Sequence, residues 1–323
     1  MEQIRLGSSG LVVSRLCLGT MTFGLQADEP TSFAILNKAD EAGVTFLDTA
    51  DVYPARGPVG RTEEILGRWL KNKRDRFVLA SKCGARIGSQ PFDEGCSRSH
   101  IHRAVEASLR RLSTDYLDLY QLHRFDPATP LDETLGALDD LVRAGKVRYI
   151  GCSNWLAYQV ALALGRSDLD DTARFTTVQP RYNLLHRPAE RELLPLCRDQ
   201  GIGVIPYNPL AGGLLTAKYA RASDPPPTTR FGLSPVYKDL YWHEGEFETV
   251  ASLARLAGEA GLSLTALSVA RVLAHPAVSA AIIGASRPDQ LAETLAGVHT
   301  VLSPDLKAEL DRITMAHRGG PAI

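Results

Sequence analysis

Asp48, Tyr53, Lys82 and His123 stand at or just past the ends of three short apolar runs. A free phenol holds its proton firmly, with a pKa near about 10. A lysine ammonium about 4 Å away contributes roughly 4 kcal/mol in a partly solvated protein setting. At about 1.4 kcal/mol per unit, that lowers the phenol by as much as about three units before burial opposes it. On this reading Tyr53 becomes a usable proton donor with Lys82 as the cation beside it. Asp48 supplies the countercharge that keeps Lys82 protonated in a cleft, and His123 hydrogen-bonds and orients the reacting oxygen. Such a group protonates an oxygen that gains negative charge, as a carbonyl oxygen does when hydride adds to its carbon. No side chain carries a hydride, so the chemistry calls for a nicotinamide cofactor.

The runs that must position these groups are Thr45 to Ala50, Phe77 to Lys82 and Tyr116 to His123, rich in β-branched, aromatic and leucine residues and too short for independent helices. Thr62 to Lys71 and Arg98 to Leu112 lie between them, with apolar residues returning every three or four positions. The alternation continues through strand-like Val147 to Ser153, a helix near Trp155 to Leu164, strand-like Thr176 to Pro180 and a helix at Ala189 to Gln200. Gly203 to Asn208, helices from Phe247 to Ala274, Ala280 to Ser286 and a helix from Pro288 to Leu295 follow. With Leu16 to Thr20 and the helix at Thr31 to Ala42, eight strand-then-helix units result. Eight units close a (β/α)₈ (TIM) barrel, an α/β fold whose catalytic groups come from the C-terminal ends of several strands. Residues 1–323 read as a single domain of that kind. Ile4 to Ser14, around Ser-Ser-Gly, predicts a β-hairpin at the closed bottom of the barrel. Ala222 to Thr229 (ASDPPPTT) opens a long loop after the seventh strand, reaching toward Glu244.

Apolar content of 44% and a formal net charge of −1 point to a soluble enzyme and give no sign of a nucleic acid partner. Five scattered cysteines without C-x-x-C spacing indicate neither a disulfide framework nor a zinc site, and fit a reducing cytoplasm. Glu2 and Arg5 interrupt the first residues, arguing against a signal peptide. Arg271, His275 and Pro276 break the most apolar stretch, Gly261 to Ser286, which argues against a membrane span. His100, His102 and His186 show no pattern and read as surface or helix-face residues.

Six segments in order, LGTMTFG (18–24), LDTADVYP (47–54), SLRRLSTDYLDLYQLH (108–123), IGCSNW (150–155), VIPYNPLAGGLLTAKY (204–219) and IIGASRPDQLAE (282–293), resemble the aldo-keto reductases along nearly the whole chain. The resemblance implies a (β/α)₈ barrel with an Asp, Tyr, Lys, His tetrad at Asp48, Tyr53, Lys82 and His123. It also implies NADPH as cofactor and an aldehyde or ketone as the small-molecule substrate. Ser153, Asn154 and Gln179 match the amide contacts to the nicotinamide, and Tyr207 the aromatic that stacks on it. Asn208, Pro209, Leu210, Gly212 and Leu214 match the loop along the pyrophosphate, with Lys218 suited to phosphate charge. Gly19, Thr20 and Met21 belong to the same cofactor set. Gly284, Ala285, Ser286 and Arg287 precede a helix, where backbone N–H groups can receive a phosphate. Arg287 would pair with the 2′-phosphate, favouring NADPH over NADH, while Gln290 and Glu293 match adenine contacts. Arg230 is expected to fold over the same phosphate. Met21, Phe23, Tyr53, Arg124 and Trp155 are the expected substrate contacts. The chain departs from the family pattern at Asn208, Ala217 and Thr294, where serine, glycine and asparagine are common.

Other readings accompany these. The Ser153–Asn154 pair could cap the helix near Trp155, Arg287 could be a surface charge, and Tyr207 a core residue. The resemblance extends to potassium-channel β subunits, so a nucleotide-sensing regulatory subunit is one alternative function. A reductase of nucleotide-linked keto-sugars is another. A homo-oligomer is compatible with all of them.

Overall fold

The computed structural model describes residues 1–219 and 224–319 of the 323-residue chain. Two short strands, β1 (Gln3–Arg5) and β2 (Val12–Ser14), pair antiparallel with Ile4 opposite Val13. The hairpin brings Leu6 and Val13 against Cys17, Phe46, Ala80, Leu119 and Ile205, the inward-facing apolar residues of the barrel strands. It therefore plugs one end of the barrel.

The barrel begins with β3 (Leu16–Gly19), α1 (Glu29–Glu41), β4 (Phe46–Asp48) and α2 (Arg61–Leu70). It continues through β5 (Val78–Cys83), α3 (Arg98–Leu112), β6 (Leu117–Leu122), α4 (Leu131–Arg143), β7 (Val147–Ser153) and α5 (Ala157–Asp170). β8 (Phe175–Gln179), α6 (Leu193–Asp199), β9 (Gly203–Val204), α7 (Arg230–Leu233), α8 (Pro235–Tyr241), α9 (Glu244–Glu259) and α10 (Leu264–Leu273) follow. β10 (Ala281–Gly284), α11 (Leu291–His299) and α12 (Pro304–Ile313) complete the chain. Strands β3 to β9 lie side by side in chain order, all parallel, and β10 pairs with β3. Parallel bridges Val204 to Val278 and Tyr207 to Ile282 close the ring between β9 and β10. The architecture is the expected (β/α)₈ barrel with an N-terminal hairpin.

α3 shows how the pattern becomes structure. Its N-cap Ser97 accepts a hydrogen bond from the His100 N–H at 3.3 Å, and Ser113 ends it in the left-handed region at φ 51°. Ile101, Ala104, Val105, Leu109 and Leu112 recur every three or four residues and are buried. Each large one contributes about 1.5–3 kcal/mol by leaving water. His100 is buried on that inner face, its Nδ1 lying 3.1 Å from the Phe92 carbonyl, the helix-face position rather than the surface one of the two expected.

Three features differ from the sequence reading. α4 lies between His123 and Val147, and α12 near the C-terminus, neither read from the sequence. α12 is tied down by Asp311, which accepts from Arg271 at 2.6 Å and lies 2.8 Å from Arg187, while Arg187 also holds the half-buried Glu190. The stretch after the seventh strand carries α7 and α8, whose Phe231 and Tyr241 are buried, with the rings of Phe231, Trp242 and Tyr219 meeting edge-on or tilted. Ala222 and Ser223 lie outside the described residues. No single helix among the described residues is long and apolar enough to cross a membrane.

Candidate active site

Parallel pairing in register brings the polar groups to one rim. Asp48 ends β4, Lys82 lies in β5 beside Gln121 of β6, and His123 directly follows β6. Ser153 ends β7 opposite Gln179, the last residue of β8. Tyr53 sits in the turn after β4, where its N–H donates to the Ala50 carbonyl at 3.1 Å and its own carbonyl accepts from the Thr62 N–H at 3.3 Å. All of these open on one cavity of about 1070 Å³, except Lys82, which lies just beneath its wall. A cavity of that size is at the upper end for small-molecule sites.

Lys82 is 1% exposed and Asp48 3%. The ammonium donates to both Asp48 oxygens and to the Thr49 carbonyl at 2.8 Å. Gln179 Nε2 donates to the same carboxylate at 3.2 Å and 3.3 Å. Burial pushes Asp48 up from the ordinary carboxylate range, opposed by Lys82 and the Gln179 amide. Lys82 Nζ lies 5.3 Å from the Tyr53 ring centroid. It does not make Tyr53 acidic here: burial, then the Asp48 charge, drives the phenol well above its usual value. The expected lowering is not met: burial is the largest influence on the phenol, the Asp48 charge adds to it, and Arg230 opposes them. The His123 imidazole is pushed down to about 3 by burial, Lys82 and Arg124, so it is neutral at physiological pH. Its Nδ1 is buried and has no hydrogen-bond partner among the described residues, and its ring meets the Tyr53 ring edge-on with centroids 5.7 Å apart.

Ser153, Asn154 and Tyr207 form a connected network. The Tyr207 hydroxyl donates to Asn154 Oδ1 at 2.8 Å, and Asn154 Nδ2 donates to the His123 carbonyl at 2.9 Å and to Ser153 Oγ at 3.1 Å. Ser153 Oγ donates to the Gln179 carbonyl at 2.8 Å. The pair does not cap α5: the N-cap is Leu156, whose N–H donates to Gln159.

The loop after β9 lines the cavity with Asn208, Pro209, Leu210 and Gly212. Asn208 takes φ 64°, which asparagine tolerates, and its side chain accepts from the Gly212 N–H at 2.6 Å and donates to the Tyr241 hydroxyl at 3.0 Å. Gly212 and Gly213 have φ of 69° and 101°, and a Cβ on Gly212 would meet the Tyr237 ring at 2.8 Å. Lys218, Arg230, Arg287, Gln290 and Glu293 also line the cavity, as do Gly19, Thr20, Met21, Gly284, Ala285 and Ser286. Gln290 Oε1 accepts from the Ser286 N–H at 2.8 Å, and Arg287 pairs with Asp289 at 3.1 Å.

Three expected site residues lie elsewhere. Phe23 is wholly buried and packs in the main core. Trp155 is 2% exposed, wedged edge-on between Phe125 and Phe175. Leu214 is 1% exposed and belongs to the core beneath α7 to α10. Sequence reasoning missed Tyr237, Val52, Ala55, Ala85 and Gln26, which line the cavity. Gln26 Nε2 donates to the Thr228 carbonyl at 3.2 Å, linking the loops after β3 and β9. No spacing in the sequence marks these residues, because their roles depend on how loops lie over the rim.

A model of the aldo/keto reductase family matches residues 15–314. The chain belongs to that family. This aldo/keto reductase is 39% identical over 322 residues to a Bacillus subtilis (strain 168) protein named uncharacterized oxidoreductase YrpG, covering 97% of this chain and 96% of the relative. It is 36% identical to a probable voltage-gated potassium channel subunit beta of Arabidopsis thaliana, covering 97% and 96% respectively. Identity to the versiconal hemiacetal acetate reductase of Aspergillus parasiticus is 33%, with 94% of each chain covered. Membership supports an oxidoreductase, in a family where NADP-dependent carbonyl reduction is typical.

The residues of this aldo/keto reductase fit a nicotinamide dinucleotide. The cavity runs from the neutral His123 and the Tyr207 ring at one end to Lys218 and Arg287 at the other. Those cations lie close enough that Arg287 helps lower the Lys218 pKa, after burial, which is the arrangement an added phosphate would relieve.

Proposed function

We propose that this aldo/keto reductase reduces an aldehyde or ketone to the alcohol, reversibly, with NADPH as the preferred dinucleotide. What carries the reading is one cavity with Tyr53, His123 and Asp48 at one end, Lys82 beneath them, and Lys218 and Arg287 at the other. The dinucleotide, when bound, supplies the hydride. His123, neutral, hydrogen-bonds the carbonyl oxygen and fixes its position. Tyr53 gives its proton to that oxygen as negative charge builds there; an alkoxide is a stronger base than a phenolate, so even a buried phenol transfers its proton downhill. Lys82 and Asp48 hold the polar floor of the site in one geometry. Ser153, Asn154 and Gln179 would hold the carboxamide, Tyr207 would support the ring, and Arg287 would face the 2′-phosphate. The five cysteines are buried and unbridged, which fits the reducing cytoplasm proposed as its setting.

NADPH oxidation across a panel of aldehydes and ketones tests the reading. Tyr53→Phe is expected to lower kcat by about 10²- to 10⁴-fold while NADPH binding stays within a few fold; retained turnover rejects Tyr53 as the donor. Arg287→Ala is expected to weaken NADPH far more than NADH, and equal losses defeat the 2′-phosphate assignment. A second reading, a nucleotide-sensing regulatory subunit, draws on the plant potassium-channel relatives. It is favoured if no carbonyl on the panel turns over repeatedly and the protein instead binds a membrane partner tightly.

A further inference from the structure

The cavity has a second cationic station that the dinucleotide reading leaves unused. Arg124 lines the cavity next to His123 and is exposed. Its charge is felt at His123 and Cys96, whereas Lys218 feels Arg287. Among the described residues its guanidinium has neither a hydrogen bond nor an ion pair. Arg86 pairs with Glu94, Arg103 with Asp93, and Arg61 with Glu29 and Glu64, whereas Arg230, which lines the same cavity, lies over the Tyr237 ring and its charge is felt at Tyr53. Asp126, two residues on, is engaged elsewhere: it accepts from the Cys96 N–H at 2.7 Å, the Ala128 N–H at 2.9 Å and the Thr129 hydroxyl at 2.7 Å.

The backbone that presents Arg124 is firmly held. The His123 N–H donates to the Cys83 carbonyl at 2.7 Å, and the His123 carbonyl accepts from Asn154 at 2.9 Å. The same cavity is lined by the small apolar residues Val52, Ala55 and Ala85. Arg124 is thus a cation beside small apolar lining residues, while the Asp48 charge is felt at Tyr53, where that of Arg230 opposes it.

Building on the carbonyl-reduction reading, we infer that this end of the cavity takes the anionic group of the substrate, a carboxylate on an otherwise apolar aldehyde or ketone, with Arg124 as its counter-ion. The apolar walls take the carbon skeleton, His123 and Tyr53 the carbonyl oxygen, and Arg124 the carboxylate at the rim.

The test compares 4-formylbenzoate with its uncharged methyl ester at low salt. Wild-type protein is expected to favour the carboxylate in kcat/KM by about fivefold, the upper range for a solvent-exposed pair. Arg124→Gln is expected to bring the ratio of the two substrates close to one, and Arg124→Glu to invert it. A ratio that is the same in all three proteins overturns the inference and leaves the reduction reading standing. If neither aldehyde turns over, the reduction reading fails, and calorimetric titration with benzoate and benzamide decides the inference. Benzoate binding more tightly than benzamide in the wild type but not in Arg124→Glu supports it; indifference to charge overturns it.

Discussion

The Asp48–Lys82 pair offers a quantitative test of how the site is held. Both partners are nearly sealed from solvent, at 3% and 1% exposed, and among the described residues Lys82 donates only to the Thr49 carbonyl besides the carboxylate. Asp48→Asn leaves a buried ammonium without its counter-ion; Lys82→Met leaves a buried carboxylate with only the Gln179 amide. Breaking a buried pair from one side costs about 3–5 kcal/mol. With a melting entropy of about 2.1 cal/mol/K per residue, 323 residues give about 0.7 kcal/mol per kelvin. Each single variant should therefore melt about 4–7 °C lower. The double variant leaves no orphan charge, so its loss should fall short of the sum of the singles by about 1–3 kcal/mol. Scanning calorimetry and urea titration of the four proteins measure this cycle. Losses that add to within about 0.5 kcal/mol would show that the two groups do not act as a pair, and would refute the account of a self-neutralised floor.

Two further outcomes follow from the geometry. Because the folded His123 pKa is depressed to about 3, the unfolded chain binds a proton that the folded chain refuses below about pH 6.5. This contribution to stability is therefore present above about pH 6.5 and is lost as pH falls toward about 3, with a slope of at most about 1.4 kcal/mol per pH unit. His123→Asn should flatten the fall in urea stability between about pH 6.5 and pH 5; equal slopes in the two proteins would contradict it. Ala217 is held at φ 56°, where a Cβ is strained, so Ala217→Gly should raise stability by up to about 1 kcal/mol. A lower urea midpoint in that variant would count against the strain.

Much of the architecture was legible because β-branched runs and three-to-four-residue periodicity are local signals. Arg98–Leu112 was read to its ends, and every barrel strand overlaps a predicted run. α4 carried a comparable signal in Leu131, Leu135, Leu138 and Leu141, yet was passed over between two more conspicuous strands. At the site, residue types at strand ends identified the groups that converge on the rim. Neighbours in sequence were a poor guide to direction: Phe23 and Trp155 adjoin lining residues but turn into the core. Sequence places a cation near Tyr53 but shows neither how deeply the phenol is buried nor that Asp48 takes two of the ammonium contacts, so the expected acidity of Tyr53 is not met. The departure at Ala217 became intelligible only from its left-handed backbone, where glycine would be relaxed.

The barrel wall is unevenly knitted. From β4 to β8 each strand shares a ladder of at least three register pairs with the next, whereas β9 contributes two residues and meets β10 through two isolated bridges. Tyr207 and the loop from Asn208 grow out of this thinly stitched seam, while Asp48, Lys82 and His123 are mounted on the tightly laced arc opposite. Amide protons around Val204 and Tyr207 should exchange with solvent well before those of β5 and β6. Opening along the Val204–Tyr207 seam is expected to leave Asp48, Lys82 and His123 fixed on their ladders, and equal exchange rates all round the ring would contradict this.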